Sequence, residues 1–226
     1  MMSAPAPKDG LSHIDPHIAE ALELGGDAQR IRAFYEDWAE NYDLDVGALG
    51  DDYQATATMV SFFTNLDLYG LGVGGTDITI LDAGCGTGLV GVALASAGYT
   101  VIDGIDLSPG MVEQAKRRGV YRDLVGGFDL GDPPEERWRR AADVVFVCGV
   151  FTIGHAPPEL VESCAELVRP GGLLVITTRK AYFDGFGYQA HIDELSRQGQ
   201  LECVAELKDA PYTSDSLGHV FAYQIN

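Results

Sequence analysis

A glycine-rich loop with two neighbouring carboxylates is the feature of this sequence best suited to chemistry. The loop, Gly84–Gly88, follows the apolar run Ile80–Ala83 and precedes a helical pattern. Glycines allow tight turns and let a ligand approach the backbone closely. Asp82 stands just before the loop, and Asp106 ends the next apolar run, where a carboxylate can accept hydrogen bonds from both hydroxyls of a ribose. The pattern predicts a site for a cofactor that contains a ribose.

One class of cofactor that fits this spacing is a nicotinamide dinucleotide. Gly86, Gly88 and Gly91 satisfy the G-x-G-x-x-G pattern, and Asp106 follows at the distance of about 20 residues that dehydrogenases show. The spacing alone leaves an NAD(P)-dependent oxidoreductase open.

A second class is a cofactor with a methionine moiety, and three features favour it. Asp82 would repel a pyrophosphate but could bind an ammonium group, and Leu107 and Met111 are apolar residues placed to flank an adenine. The patterns at Glu202–Lys208 and His219–Ile225 predict two terminal strands joined by a polar turn. An antiparallel pair of this kind does not suit the second parallel half of a dehydrogenase.

The segment from Thr79 to Asn226, with Asp82–Gly88 as its most specific motif, resembles the class I S-adenosylmethionine-dependent methyltransferases. Tyr35–Asp43 and Val150–His155 are similar to the methyltransferase-like subgroup named after the Williams–Beuren chromosomal region. The resemblance implies a doubly wound α/β fold, with a seven-stranded, mostly parallel sheet in the order 3-2-1-4-5-7-6. It also implies a cofactor at the ends of strands 1 and 2, with the substrate beside strands 4 and 5.

The same resemblance implies a set of S-adenosylmethionine contacts. The loop glycines would wrap the methionine part, Asp106 would hold the ribose, Asp129 with Leu130 would contact the adenine, and Cys148 with Gly149 would flank the sulfonium. The complete predicted set is Tyr35, Trp38, Tyr42, Asp82, Gly84, Cys85, Gly86, Gly88, Asp106, Leu107, Met111, Asp129, Leu130, Cys148 and Gly149.

An aromatic stripe and a histidine complete the candidate residues. Tyr35, Trp38 and Tyr42 recur at helical spacing, so they either pack in a core or close over the cofactor as a lid. His155 follows strand 4 and is the candidate general base, although it could equally line a pocket or cap the next helix. The predicted substrate-binding residues are Phe151, His155 and Tyr182.

The hydrophobic pattern supports this organisation. Helical periodicity occupies the first third of the chain and predicts helices at 14–24, 27–43 and 51–68. Beyond it, short apolar runs alternate with helices, among them one from 158 to 168 and one that Ser108 would cap, with Pro109 at its first position. This alternation predicts strands buried on both faces of a parallel sheet. We therefore divide the chain into an N-terminal tail with a helical cap or lid, residues 1–75, and a cofactor-binding domain, residues 76–226.

Composition narrows the choice of partners and of compartment. A formal net charge of −19 disfavours nucleic-acid substrates, whose phosphates are bound by Lys and Arg. The four cysteines are scattered without C-x-x-C pairs, which fits reduced thiols and argues against a metal site. Residues 1–10 contain no apolar signal segment, and no apolar run approaches the length of a membrane span. We expect a soluble, cytoplasmic protein with no membrane partner, and the oligomeric state stays open.

These observations predict methyl transfer from S-adenosylmethionine to an oxygen, nitrogen or carbon nucleophile of a small molecule. The segment after strand 4, Cys148–Phe151, lacks the Pro-Pro-aromatic element of enzymes that methylate amino groups of nucleic acids. The alternative is a repurposed or inactive S-adenosylmethionine-binding module, regulatory or catalysing another step. The nicotinamide oxidoreductase is the third hypothesis.

Overall fold

A single sheet organises the computed structural model, which describes residues 16–48 and 52–226. In these ranges the sheet has seven strands: β1 Ile80–Ala83, β2 Ile102–Asp106, β3 Asp123–Gly126, β4 Ala142–Phe151, β5 Val168–Arg179, β6 Leu201–Thr213 and β7 Ser216–Ile225.

The strand order is β3-β2-β1-β4-β5-β7-β6, which confirms the order that the resemblance implies. Strands β1 to β5 pair in parallel, whereas β7 runs antiparallel to both β5 and β6. The carboxyl ends of β1, β2 and β4 therefore meet at one edge, on either side of the point where the strand order reverses. Open α/β sheets generally bind their ligands at such a point.

Nine helices occur in the described ranges: α1 Pro16–Ala21, α2 Ala28–Trp38, α3 Tyr42–Asp45, α4 Ala55–Thr64, α5 Leu89–Ser96, α6 Pro109–Lys116, α7 Leu160–Ala165, α8 Lys180–Gly185 and α9 Tyr188–Arg197. None of them has the length and apolar character to cross a membrane.

Local signals account for several helix boundaries. Ser108 caps α6, because its hydroxyl oxygen accepts a hydrogen bond from the Met111 N–H, and Pro109 occupies the first helical position, as the sequence predicts. Asp27 caps α2 by accepting from the Arg30 N–H. The expected helix from 158 to 168 is wrong at its end, since α7 stops at Ala165 and β5 already begins at Val168.

The predicted helix from Asp27 to Asp43 is also interrupted. Helix α2 ends at Trp38, and the short helix α3 begins at Tyr42. The indole N–H of Trp38 donates to a carboxylate oxygen of Asp45 at 2.8 Å, which holds the turn between the two helices. The helices predicted at 14–24 and 51–68 partly lie outside the described residues, and the observed α1 and α4 are shorter.

Two apolar layers cover the faces of the sheet. One packs helices α7 to α9 against residues such as Val145 and Ile176, and the other packs α4 and α5 against Phe146 and Val175. Burying each such side chain contributes roughly 1.5–3 kcal/mol. Met59 and Phe63 place α4 in this second layer, so α4 belongs to the core of the sheet rather than to the cap predicted for 1–75.

Candidate active site

A cavity of about 380 Å³ opens at the edge where β1, β2 and β4 end. Its walls come from the glycine loop, the turn after β2, the segment after β3, the end of β4 and helix α2. The predicted residues that line it are Tyr35, Tyr42, Gly84, Gly86, Asp106, Leu107, Met111, Asp129, Leu130, Cys148, Gly149 and His155. The structure thus brings together most of the residues that the sequence selects.

The backbone of the glycine loop requires its glycines. The N–H groups of Gly84 and Cys85 both donate to the Ile105 carbonyl, at 2.8 and 3.0 Å, which ties the loop to β2. Gly84 has φ of +75°, and a Cβ there would lie 2.6 Å from a methyl carbon of Val150. Gly86 has φ of +52°, but a Cβ there would meet nothing within 4 Å, because the residue faces the cavity.

Gly86→Ala should therefore block the cavity without breaking the fold. Alanine in the left-handed region costs roughly 1–2 kcal/mol, and its methyl group would stand in the space that a ligand needs. We expect the affinity for S-adenosylhomocysteine, measured by calorimetry, to fall at least tenfold. Gly119→Ala is the matched control, since Gly119 has φ of +67° with open space around it and does not line the cavity. Equal ligand affinity in the two variants would show that Gly86 does not face the ligand.

Asp106 is held rigidly at the cavity wall. One carboxylate oxygen accepts from the Gly86 N–H and the other from the Ser108 N–H, both at 2.8 Å. Burial raises the pKa of Asp106 to about 6, against the lowering effect of these two hydrogen bonds. The side chain is therefore mostly ionised at neutral pH, and it retains lone pairs that can accept from ligand hydroxyls.

The structure places Asp82 behind the glycine loop, and its contact with an ammonium group stays a prediction. Asp82 is fully buried and does not line the cavity, and one of its oxygens accepts from the Tyr121 hydroxyl at 2.6 Å. The Tyr121 oxygen in turn accepts from the Gly91 N–H. Burial raises the pKa of Asp82 to about 7. Asp82 thus supports the loop from behind.

Four further predicted contacts lie away from the cavity. Trp38 is buried and stacks with Tyr35, and Gly88 is buried against Ala115 at the start of α5. Phe151 and Tyr182 are buried together, and the Tyr182 hydroxyl donates to the Ala156 carbonyl. Neither Phe151 nor Tyr182 lines the cavity, and their assignment as substrate contacts stays a prediction.

Cys85 does not line the main cavity but lies in a pocket next to it. It lines a smaller adjoining pocket of about 40 Å³, which shares Tyr42, Gly84, Gly86 and Cys148 with the main cavity. Its thiol is buried, and this burial raises its pKa well above the usual value. The thiol is therefore protonated at neutral pH.

Polar contacts fasten the N-terminal helices over the cavity. A Glu36 oxygen accepts from the Ser108 hydroxyl and from the Gly110 N–H, each at 2.8 Å, which anchors α2 on the first turn of α6. Asp43 accepts from the Thr87 hydroxyl and forms an ion pair with Arg118. Helix α2 is thus bonded to the start of α6, and helix α3 is bonded to the glycine loop.

Tyr35 and His155 join across the mouth of the cavity. The Tyr35 hydroxyl lies 2.7 Å from Nε2 of His155, and Nδ1 of His155 lies 3.1 Å from the Ile153 carbonyl. If Nδ1 carries the proton and donates to this carbonyl, Nε2 accepts from Tyr35. Burial lowers the pKa of His155 below its usual value, so the ring is neutral at pH 7.

The sequence did not predict three residues near the end of β4, namely Tyr53, Tyr212 and Arg179. A Cβ on Gly149 would lie 3.3 Å from the Tyr53 hydroxyl and 3.8 Å from the Tyr212 hydroxyl. Arg179, the last residue of β5, places its guanidinium over the Tyr212 ring at 4.7 Å. No local motif marks these residues, because they come from three distant segments.

Comparison with known proteins identifies the family. A family profile described as a methyltransferase domain matches residues 80–172. Methyltransferase-like protein 27 from Homo sapiens is 36% identical over 199 residues, which span 84% of this chain and 75% of the relative. The chain belongs to the S-adenosylmethionine-dependent methyltransferases.

Two solved structures share the fold of this methyltransferase. Magnesium protoporphyrin IX methyltransferase from Synechocystis PCC 6803, with bound S-adenosylhomocysteine, has a TM-score of 0.62 at 15% identity and covers 88% of this chain and 100% of its own. The cyclase SpnF has a TM-score of 0.63 at 15% identity and covers 90% and 98%, respectively. At this identity both show the fold alone.

Membership of the family decides between the two cofactor classes. S-adenosylmethionine is the cofactor, and the nicotinamide hypothesis is wrong. The residues of this methyltransferase fit the group, because the open space at Gly86 lies beside a half-buried, backbone-anchored carboxylate at Asp106. The antiparallel pair of β6 and β7, which argued against a dehydrogenase, is present as predicted.

Proposed function

We propose that this methyltransferase methylates an oxygen, nitrogen or carbon nucleophile of a small molecule. The observation that carries the proposal is the enclosure of the cavity by α2, through the Tyr35–His155 and Glu36 contacts. A volume of about 380 Å³ lies in the range of small-molecule sites. The net charge of −19 also disfavours a polyanionic substrate.

The cavity walls suggest how the cofactor would be held. Gly84 and Gly86 would receive the methionine part, and Asp106 would accept from the ribose hydroxyls. Leu107 and Met111 would cover the adenine on one side, with Asp129 and Leu130 at its edge. Cys148 and Gly149, at the end of β4, would flank the sulfonium. The positions of these residues around one continuous space support the proposed placements.

The chain itself contributes alignment and exclusion of water. S-adenosylmethionine supplies a methyl group that its sulfonium has already activated for in-line displacement. Rigid positioning of the acceptor can be worth effective molarities on the order of 10⁵ M. We propose that α1 to α3, including Tyr35 and Tyr42, form the cap of the cavity, and that residues from 76 onward with α4 form the catalytic domain.

Incubation with isotopically labelled S-adenosylmethionine and a small-molecule library tests this function. We expect a labelled methyl group in a small-molecule fraction, detected by mass spectrometry, and loss of that signal with Gly86→Ala but not with Gly119→Ala. Label found only in added RNA or protein would contradict the small-molecule proposal.

A non-methylating role is the second candidate, because the solved structure of a cyclase shares the fold over 90% of this chain. The same experiment separates the two functions. A product of unchanged mass, formed only when the cofactor site is filled, would favour the repurposed module.

A further inference from the structure

A polar cluster lies where the methyl acceptor must approach. We call it the acceptor cluster and define it as Tyr35, Tyr42, Tyr53, Tyr212 and Arg179. The hydroxyls of Tyr53 and Tyr212 both lie beside Gly149, at the end of β4. The ring centroids of Tyr53 and Tyr212 are 6.1 Å apart, and those of Tyr35 and Tyr42 are 6.0 Å apart.

Backbone hydrogen bonds fix the two tyrosines that are distant in sequence. Tyr53 forms an isolated antiparallel bridge with Thr213, and the Gln54 N–H donates to the Tyr212 carbonyl at 3.0 Å. The Tyr53 hydroxyl also lies 3.8 Å from the Cys148 sulfur. Tyr35 and Tyr42 line the main cavity, and Tyr53 lines the smaller adjoining pocket. Tyr212 and Arg179 support them from behind, so the acceptor cluster rests on β5 and β6 rather than on a free loop.

Arg179 is the exceptional member of the cluster. In the described ranges, three arginines are half-buried: Arg118, Arg169 and Arg179. Arg118 is paired with Asp43 and Arg169 with Asp143, whereas Arg179 has no ion pair with any described carboxylate. Its guanidinium instead stacks on the Tyr212 ring. In a chain with 34 acidic and 15 basic residues, such an unpaired cation is unexpected.

The pKa shifts of neighbouring residues show that the charge of Arg179 acts close to the cavity. The positive charge of Arg179 opposes the effect of burial on the pKa of Tyr35 and of Tyr212, and it helps to lower the pKa of His155. Arg179 therefore acts on the residues that line the cavity mouth. A half-buried cation without a counterion carries a desolvation cost that a bound anion would offset.

We propose that the methyl acceptor carries a carboxylate and that Arg179 binds it. The inference rests on the proposed function, since it concerns the small molecule that is methylated. The planar guanidinium matches a carboxylate in a two-pronged hydrogen-bonded pair. A phosphate monoester carries about −1.5 to −2 at pH 7 and would be repelled more strongly than a carboxylate by the field of a strongly acidic protein.

The carboxylate serves as an anchor, and another atom of the acceptor receives the methyl group. Tyr212 links the two points, because its hydroxyl lies near Gly149 and the Arg179 guanidinium lies 4.7 Å from the centre of its ring. The nucleophilic atom thus approaches the cofactor at the tyrosine hydroxyls, and the negative charge lies beside the Arg179 guanidinium.

Paired ligands test the charge requirement on the unmodified protein. Protein saturated with S-adenosylhomocysteine is titrated with aryl and alkyl carboxylic acids and with the primary amides of the same acids. The side-chain Nε–H signal of Arg179 is followed by NMR. We expect several acids to shift this signal and to bind at least tenfold more tightly than their amides. Amides that bind as well as acids, or aryl phosphates that bind more tightly than both, would overturn the proposal.

Variants test the assignment to Arg179. In Arg179→Gln the preference for acids over amides should fall below twofold, and in Arg179→Lys it should be partly retained. Arg197→Gln is the control, because Arg197 is an exposed arginine paired with Glu194. An unchanged preference in Arg179→Gln would refute the assignment. If Arg179→Gln does not fold, Arg179→Lys and the comparison on the unmodified protein decide the question.

One rival explanation has its own readout. If Arg179 instead bound the carboxylate of the cofactor, Arg179→Gln would lose affinity for S-adenosylhomocysteine but not for methylthioadenosine, which lacks that carboxylate. We expect both affinities to stay within twofold of the parent. Acids that bind through Arg179 but are never methylated would contradict the proposed function only. Methylation of neutral acceptors at the same rate in the parent and in Arg179→Gln would contradict this inference only.

Discussion

Replacing Asp106 with alanine should lower the affinity of the methyltransferase for S-adenosylhomocysteine about a hundredfold. The side chain faces the cavity, and both of its oxygens are fixed by backbone N–H groups. Charge-assisted hydrogen bonds to two ribose hydroxyls are together worth on the order of 3 kcal/mol, which corresponds to that factor. Titration calorimetry on the folded variant measures the change.

Asp103→Ala is the matched control for this substitution. Asp103 is a buried carboxylate of the same strand, but it pairs with Arg122 and does not line the cavity. We expect Asp103→Ala to lower the melting temperature and to leave the affinity for ligand within twofold. If Asp106→Ala stays folded and binds as tightly as the control, the ribose assignment is wrong.

The pH dependence of binding gives the same assignment a second test. Burial raises the pKa of Asp106 to about 6, so the carboxylate becomes protonated as the pH falls through 6. A protonated carboxyl accepts hydrogen bonds less strongly, and the affinity of the parent should therefore decrease between pH 7 and pH 5. The affinity of Asp106→Ala should change much less over this interval.

The residues proposed for the cofactor half of the site could be chosen from the sequence, because that half is encoded locally. The glycine loop joins β1 to α5, and Asp106 ends the adjacent strand, so a short stretch of chain fixes both. Parallel pairing of β1 with β2 then brings the glycine loop and Asp106 together, independently of the other strands. Leu107 and Met111 could be chosen for the same reason, because they lie within five residues of Asp106.

The acceptor half could not be predicted in the same way. Tyr53, Tyr212 and Arg179 come together only through the bridge between Tyr53 and Thr213 and through the pairing of β5, β7 and β6. No local sequence pattern predicts that three such distant residues will be in contact.

A related physical reason explains why three predicted residues lie outside the cavity. Asp82, Phe151 and Tyr182 were assigned to the site from their position beside motifs or strand ends, but position along a strand does not reveal which side a side chain faces. The structure buries Phe151 and Tyr182 against other aromatic rings and turns Asp82 towards Tyr121. Burial by distant segments thus overrides proximity in sequence.

His155 holds the position from which a base could serve the acceptor. It lines the cavity, and burial keeps its pKa below the usual value, so the ring is neutral at physiological pH. Nδ1 faces the Ile153 carbonyl, and Nε2 faces the Tyr35 hydroxyl. A proton from the acceptor can therefore reach Nε2 either through the Tyr35 hydroxyl or after the Tyr35 contact opens.

If His155 is the base, His155→Ala should lower turnover about a hundredfold or more while the affinity for S-adenosylhomocysteine stays within twofold. The rate of the parent should fall as the pH drops below the lowered pKa of the imidazole, because the protonated ring cannot accept a proton, and the variant should lose this acidic limb. Tyr35→Phe separates the two routes: a relay through the hydroxyl predicts a similar loss of turnover, whereas opening of the contact predicts full or increased activity. Turnover of His155→Ala within a few-fold of the parent, with the same pH profile, would mean that alignment of acceptor and cofactor accounts for catalysis.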